Sequence, residues 1–502
     1  MNKQTKSIFI SSLAFVVMLF TSYSYRRVAN EKMFDSSMEN NILNSGIISK
    51  IHGADNAIAV HVSGKDSEMN HMSNPLEYVD YFAMNGFGKP VSTMQHPAGE
   101  FYNGVTYLAY QGPHEDPYIC AYHHATGEWS GPVQAGVSAL GRNPSPTDPN
   151  QIDNHGRPAL IIDNEGYIHL FFGGHGGRRE FGANPLGRHG KGRQTHVMSK
   201  NPGDISSWEI LDNISPFGTY SQLVKMPNGN IYLFYRHGSH RSDWVYQKST
   251  DNARTFSNPV SILKHKPQTG NPTVYDTWYA WFQAGPGNTI FASFNYHPCA
   301  NPGHSSIRLN AYIMKMSTES DRWENIDGER LSMPLTKESA DTMTLITPAK
   351  DEKTRLGTIK VDNMGKPHQY FRHIGKLQYY RWNEQNQLEP KTLNQNVNIR
   401  DADMLITGNG TIRLISVVAN DPNEEVCWWE SRDGGDSWQK EEAIISSANA
   451  RYSMSSLIHN AHPDARFLVA EIPNNPTSVA SKLYLFGESG PVRRKAGEIS
   501  EH

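Results

Sequence analysis

The chain has 502 residues and a formal net charge of −3, which argues against a nucleic-acid partner held by a basic surface. Its 41 glycines, 29 prolines and 10% aromatic residues suit many short strands separated by turns, and no long helical period runs through its body. Cys120, Cys299 and Cys427 are odd in number and far apart, which excludes a disulfide framework.

The first element is an address. Lys3 and Lys6 precede an apolar run from Ile8 to Phe20, and Ser22-Tyr23-Ser24 offers small residues for cleavage. The run is 13 residues long, short of the roughly 20 that a membrane-spanning helix needs. Residues 1–24 are therefore predicted to be a signal peptide, and the mature protein to be exported, secreted or periplasmic, with no membrane partner. Residues 25–87 are polar and rich in Asn and Ser, and are expected to form a partly irregular N-terminal arm.

From residue 88 to 492 one pattern recurs: an apolar strand, a Gly- or Asn-containing turn, a second strand, and a third ending in Trp or Phe. Copies centre on Val105–Tyr110, Tyr167–Phe172, Asn230–Tyr235, Thr289–Phe294, Pro367–Arg372, Thr411–Ser416 and Arg466–Ala470. Seven copies at this spacing predict an all-β fold, a seven-bladed β-propeller of four-stranded antiparallel blades, expected to be monomeric. An open ring would leave strand edges exposed, so the last blade, near 450–490, is expected to be completed by a strand from before or within residue 100. Residues 493–502 read as a polar tail.

Within the second copy, Asp153-Asn154-His155-Gly156-Arg157-Pro158 is followed by Phe171-Phe172-Gly173-Gly174-His175. The residues between read as strand, tight turn, strand. A hairpin returns the chain to its starting level, so His155 and His175 arrive at the same end of one sheet. Ser431–Trp438 matches an Asp-box turn, and Ser249–Phe256 is a degraded copy. That motif is structural and identifies no activity.

Propeller sites lie where blade loops converge. The loops here supply Gly173-Gly174-His175, Phe217-Gly218-Thr219-Tyr220, Arg236-His237-Gly238-Ser239-His240-Arg241 and Tyr275-Asp276-Thr277-Trp278-Tyr279. Asp276 is the chief acidic exception, and no convincing pair of carboxyl groups for glycoside hydrolysis appears. β-Elimination on a uronic acid needs a cation for the C5 carboxylate, a base for H5 and an acid for O4, which Arg, His and Tyr can supply. A tyrosine beside an arginine suits proton transfer because the positive charge lowers the phenol's pKa. His297-Pro298-Cys299 with His304 forms a short N/S cluster expected to hold one structural zinc ion, calcium being the alternative. His237 or His240 is the candidate fourth ligand, and no organic cofactor is expected.

His155 and His175, Tyr220, Arg236 and Tyr279 together resemble the pattern of the seven-bladed propeller ulvan lyases, polysaccharide lyase family 25 and the related family 24. The resemblance covers about residues 90–490 and implies endolytic β-elimination on ulvan, a sulfated rhamnose–uronic acid polymer, leaving an unsaturated uronate. It also implies a structural metal near the site. Carried over, Tyr220 is the principal proton-transfer group, Arg236 the carboxylate neutraliser, and His155 and His175 acid/base or subsite partners. Tyr279 is a substrate contact, with neighbouring Trp278 able to fill the same slot. Arg241 and Arg179, with Arg178 and Arg193, are candidates to bind sulfate. An Asp-box sialidase or glycosidase is the alternative, but no Arg-Ile-Pro motif stands near the propeller's start. A non-catalytic glycan-binding propeller would account for the aromatics and leave Tyr220 and Arg236 unexplained.

Overall fold

The structure, a computed structural model, describes residues 77–142, 152–268, 271–299, 307–348, 354–373, 376–383, 387–393, 397–420, 422–474 and 480–499. The signal segment 1–24 and most of the expected arm lie outside these residues, as does His304.

Seven antiparallel sheets follow one another along the chain as the blades of a propeller. Their first strands are Gly99–Tyr102, Ala159–Ile162, Thr219–Lys225, Asn271–Gly285, Thr354–Val361, Ile399–Ile406 and Ala450–Met454. Consecutive strands pair within each blade, so the chain runs outward and then steps to the next first strand. Blade 4 is enlarged by Lys266–Gln268 and Leu345–Thr347, and a short helix of about two turns, Lys337–Met343, follows its outer edge.

Blade strands bury both faces because each blade is sandwiched between two others, so apolar residues fill neighbouring positions instead of alternating. Phe234 of blade 3 and Phe282 of blade 4 stack at 3.9 Å and 6° across one such interface. The Asp-box turns anchor blade edges in the same way. Ser431 Oγ and Asp433 Oδ1 accept from the backbone N–H groups of Gly435 (2.7 Å) and Ser437 (2.9 Å), while the Trp438 ring meets Tyr379 of blade 5 edge-on. The degraded copy keeps both bonds, to Ala253 and Thr255, and its Phe256 meets Phe171 of blade 2.

The ring closes as the edge argument requires. Ala83–Phe87 is the outermost strand of blade 7, pairing with Ala480–Gly487 in the register Ala83↔Leu483 and Phe87↔Ala480. This moves the boundary drawn at 87/88: the closing strand belongs to the segment read as an arm, because its residues complete a sheet that would otherwise present a bare edge. The tail boundary at 492/493 shifts too, since Arg494–Lys495 pairs with Tyr78–Val79.

Phe82 leads into the closing strand, is fully buried, and stacks on Trp129 of blade 1 at 4.9 Å and 8°. Phe82→Ala is expected to cost about 3–5 kcal/mol, the usual range for a large cavity in a packed core. Denaturant unfolding followed by tryptophan fluorescence measures it, and a loss below about 1 kcal/mol would show that closure does not depend on this contact.

Candidate active site

The blade 2 hairpin forms as the sequence reading has it. Ala159–Ile162 pairs with Ile168–His175 in the register Ala159↔Phe171 and Ile162↔Ile168, and Asp163 Oδ1 accepts from the N–H groups of Glu165 and Tyr167 in the turn. Gly173 N–H donates to Gly156 O at 2.8 Å, extending the hairpin to the level of the histidines. Gly174 is needed for close approach: a Cβ there would lie 2.3 Å from the carbonyl oxygen of Gly218, at the entry to blade 3. The second blade is thus pressed against the segment that presents Tyr220.

His155 and His175 meet as a stacked pair, ring centroids 3.8 Å apart and 12° from parallel. Beneath them lies a residue the sequence reading left without a role. Asp153 Oδ1 is 2.5 Å from His155 Nδ1, and Asp153 Oδ2 is 2.7 Å from His175 Nδ1. Burial raises the Asp153 pKa, but hydrogen bonds from both imidazoles more than offset this and hold it well below the usual carboxylate range. Burial, helped by the charges of His175 and Arg236, pushes His155 down to about 4 despite its bond to Asp153. His155 is therefore a neutral imidazole across ordinary pH.

Tyr220 packs beside this pair, its ring 5.3 Å from that of His155. It sits at a bulge in the pairing of blade 3's first two strands, with φ of +65°. A non-glycine residue in the left-handed region costs on the order of 1–3 kcal/mol, strain typical of functional positions. The pairing of Thr219 with Arg236 sets the guanidinium carbon 5.0 Å from the Tyr220 ring centroid and 5.8 Å from that of Tyr279. Arg236 is 1% exposed, makes no ion pair with any described residue, and leaves Nε and Nη1 without hydrogen-bond acceptors.

One electrostatic expectation reverses. Arg236 does favour the Tyr220 phenolate, but burial and the neighbouring Tyr279 hydroxyl outweigh it, so the Tyr220 pKa is raised. Tyr279 shifts the other way: Arg308, whose guanidinium carbon is 4.0 Å from its ring centroid, and Arg236 together overcome its burial and lower its pKa. Arg308 stands shortly after the His297–His304 cluster, and nothing in the sequence marked it.

Tyr279 and Trp278 are adjacent in one strand and so face opposite sides. Tyr279 faces Tyr220, the two rings 5.7 Å apart. Trp278 is fully buried among Phe294, Tyr296 and Tyr312 and donates its indole N–H to Lys264 O at 2.8 Å. It is a core residue and not a substrate contact. Of the arginines expected in loops, Arg193 lies within the strand Lys191–Ser199, 2.5 Å from Asp212, and Arg178 is 3.3 Å from Glu180. Arg179 is exposed on the short turn Arg179–Phe181, and Arg241 lies over the Tyr275 ring at 5.9 Å.

Next to Tyr279, three potential ligands from two blades converge. His240, His297 and Cys299 place one donor atom each within 4.8 Å of one another, with the His240 Nε2 and Cys299 Sγ atoms in direct contact. Asp276 supports this loop from behind, accepting from the Tyr296 hydroxyl at 2.5 Å and from the Cys299 N–H at 2.8 Å. The acidic exception in the sequence is thus a support for the loop. Two imidazoles and a thiol fit a tetrahedral zinc site lacking one ligand.

Residues 105–395 match the family described as BNR repeat-containing family member. An ulvan lyase of Nonlabens ulvanivorans is 46% identical over 462 residues, spanning 88% of this chain and 97% of the relative. The ulvan lyase PL25 of Pseudoalteromonas sp. (strain PLSV) is 42% identical over 88% of this chain and 93% of its own length. A solved PL25 ulvan lyase bound to GlcA(1-4)Rha3S superposes with a TM-score of 0.79 at 42% identity, covering 84% of this chain and 98% of that one. With the propeller, the five aromatic and basic side chains at one end of it, and relatives matched along nearly their whole length, this chain belongs to the PL25 ulvan lyase family of polysaccharide lyases.

Proposed function

We propose that this chain is exported and cleaves ulvan by β-elimination at the uronate, leaving an unsaturated uronate at the new end. Arg236 carries the reading: a buried guanidinium with no acidic partner among the described residues, flanked by Tyr220 and Tyr279. Leaving one charge of a buried pair unpaired costs about 3–5 kcal/mol, so a fold that keeps such a cation has a use for it. A uronate carboxylate matches the guanidinium in charge and planar shape. The names of the relatives supply ulvan as the polymer.

Once the carboxylate is neutralised, H5 becomes acidic. The neutral His155 imidazole takes that proton, the C5–H electron pair becomes the C4=C5 double bond, and the C4–O4 bond breaks. Tyr220, kept protonated by its burial, gives its proton to O4. His175 supports His155, and Tyr279 contacts the sugar. This divides the work by environment: one group is held neutral and able to accept, the other protonated and able to donate.

His240, His297 and Cys299 would hold a structural zinc ion, with His304, outside the described residues, as fourth ligand. Zinc there would tie blade 3 to blade 4 beside Tyr279, and no step of the elimination runs through it. Residues 1–24 would direct export.

Mixing the purified protein with ulvan and following absorbance in the unsaturated-uronate band tests the reaction class. A hydrolase or a binding protein produces no signal. Tyr220→Phe, which removes one oxygen, should keep the fold and lower turnover by about 10²–10⁴-fold. Arg236→Asn should lose at least as much, because the developing carbanion charge meets no fixed cation.

Protonating His155 removes the base, so activity present at higher pH is expected to fall as pH drops toward about 4. An acid limb near about 6.5, the ordinary histidine value, would move the base elsewhere. The protein as purified should contain about one zinc per chain, and Cys299→Ala should lose metal and melting temperature together. Metal-free protein with an unchanged melting temperature would rule the zinc site out.

A further inference from the structure

Asp153 takes no part in the scheme above, yet it is the group that both histidines share. Its carboxylate is 13% exposed, behind His155 at 37% and His175 at 24%, so the imidazoles stand between it and solvent. Its backbone is held as well: the Asp153 N–H donates to Glu115 Oε1 at 2.7 Å, and Glu115 is 3% exposed.

The arrangement leaves little freedom. An ionised carboxylate only accepts hydrogen bonds, so a ring nitrogen 2.5 or 2.7 Å from one of its oxygens must carry a proton. The two bonds use different oxygens, one for each ring. The three groups also lie close enough to suggest a metal site, but near-parallel rings 3.8 Å apart send their in-plane Nδ1 lone pairs side by side, not to a common point. Two hydrogen bonds fit that geometry and a shared ion does not.

We infer that Asp153 is a positioning residue that locks both His155 and His175 in the tautomer carrying the proton on Nδ1, leaving both Nε2 lone pairs for the substrate cleft. The catalytic consequence rests on the elimination proposed above. A base must offer a lone pair at the atom that meets H5, and with Nδ1 occupied that atom is Nε2. When the proton moves from C5 to His155 Nε2, the imidazolium that forms already faces the Asp153 carboxylate. Stacking at 3.8 Å also disfavours two cations at once, so the pair takes up one proton in the elimination step and gives it back before the next, as Tyr220 is reprotonated. The groups facing His155 are Asp153, His175, Arg236 and Tyr220.

Three measurements test this. In ¹⁵N-histidine NMR of the wild-type protein, both residues should show a protonated Nδ1 and an unprotonated Nε2. Asp153→Asn, whose amide accepts on one side and donates on the other, should turn one ring to the opposite tautomer. The same variant should keep its melting temperature and KM while kcat on ulvan falls by about 10²-fold or more, the general-base scale, with about 10⁴ as the loss from an orienting Asp-to-Asn change in a histidine-based protease. Its acid limb should move to lower pH, because the carboxylate that favours the imidazolium is gone. Asp153→Glu restores a carboxylate and should recover part of kcat.

Wild-type tautomers protonated on Nε2 would overturn the inference, as would Asp153→Asn turning over at the parent rate. Should Asp153→Asn fail to fold, the wild-type spectrum and Asp153→Glu still decide. Wild-type protein that forms no unsaturated uronate from ulvan would instead sink the elimination reading, while the tautomer result stands apart from it.

Discussion

Seven first strands stay at one level around an axis only if the ring is closed, and closure rests on the pairing of Ala83–Phe87 with Ala480–Gly487. The candidate active-site residues are spread over three blades and more than a hundred positions of sequence, from Asp153 to Tyr279. No local interaction brings them together. Each is delivered by its own blade, so their separations depend on how the blades pack. A closed ring of blades packed face to face allows little change in one blade-to-blade distance without a change in the others, and packed interiors resist such deformation. The interfaces that set those distances are built from large stacked aromatics, as at Phe234 and Phe282.

Two features at the site run against local stability. Tyr220 takes a left-handed backbone conformation at a bulge, and Arg236 is buried without an acidic partner among the described residues. They are linked, since the register shift that produces the bulge follows the Thr219–Arg236 pair, which sets the guanidinium beside the Tyr220 ring. The His155–His175 stack is a third such feature, two bases in contact that repel when both are charged, and Asp153 offsets it. Strain, an unpaired cation and two stacked imidazoles on one carboxylate, all within one cluster, show local consistency giving way at a candidate functional site.

Much of this was legible in the sequence because it is periodic or local. The blade repeat is set by spacing, and the His155–His175 meeting follows from a hairpin whose turn residues are explicit. Tyr220 and Arg236 could be paired because they flank one strand connection. What stayed hidden depends on three-dimensional summation. Whether Arg236 lowers the Tyr220 pKa depends on how deeply both are buried and on Tyr279, from another blade. Trp278 and Tyr279 are separated by the phase of a strand, which one residue of register decides. Arg308 carries no motif of its own, and its place over the Tyr279 ring appears only in three dimensions. Asp153 was visible in its motif, but its bonding to two rings at once appears only when those rings stack.

The unpaired guanidinium also sorts what enters. A pyranose with a hydroxymethyl group at C5 in place of a carboxylate would bring no anion to Arg236, which is already shut away from water before anything binds. A uronate pairs with a charge that the fold has already buried, and a buried charge left without its partner costs about 3–5 kcal/mol, a factor of hundreds to thousands in affinity between the two sugars. Neutral polysaccharides would then forgo that gain at binding, before any bond is tested, because the fold has desolvated a single side chain in advance.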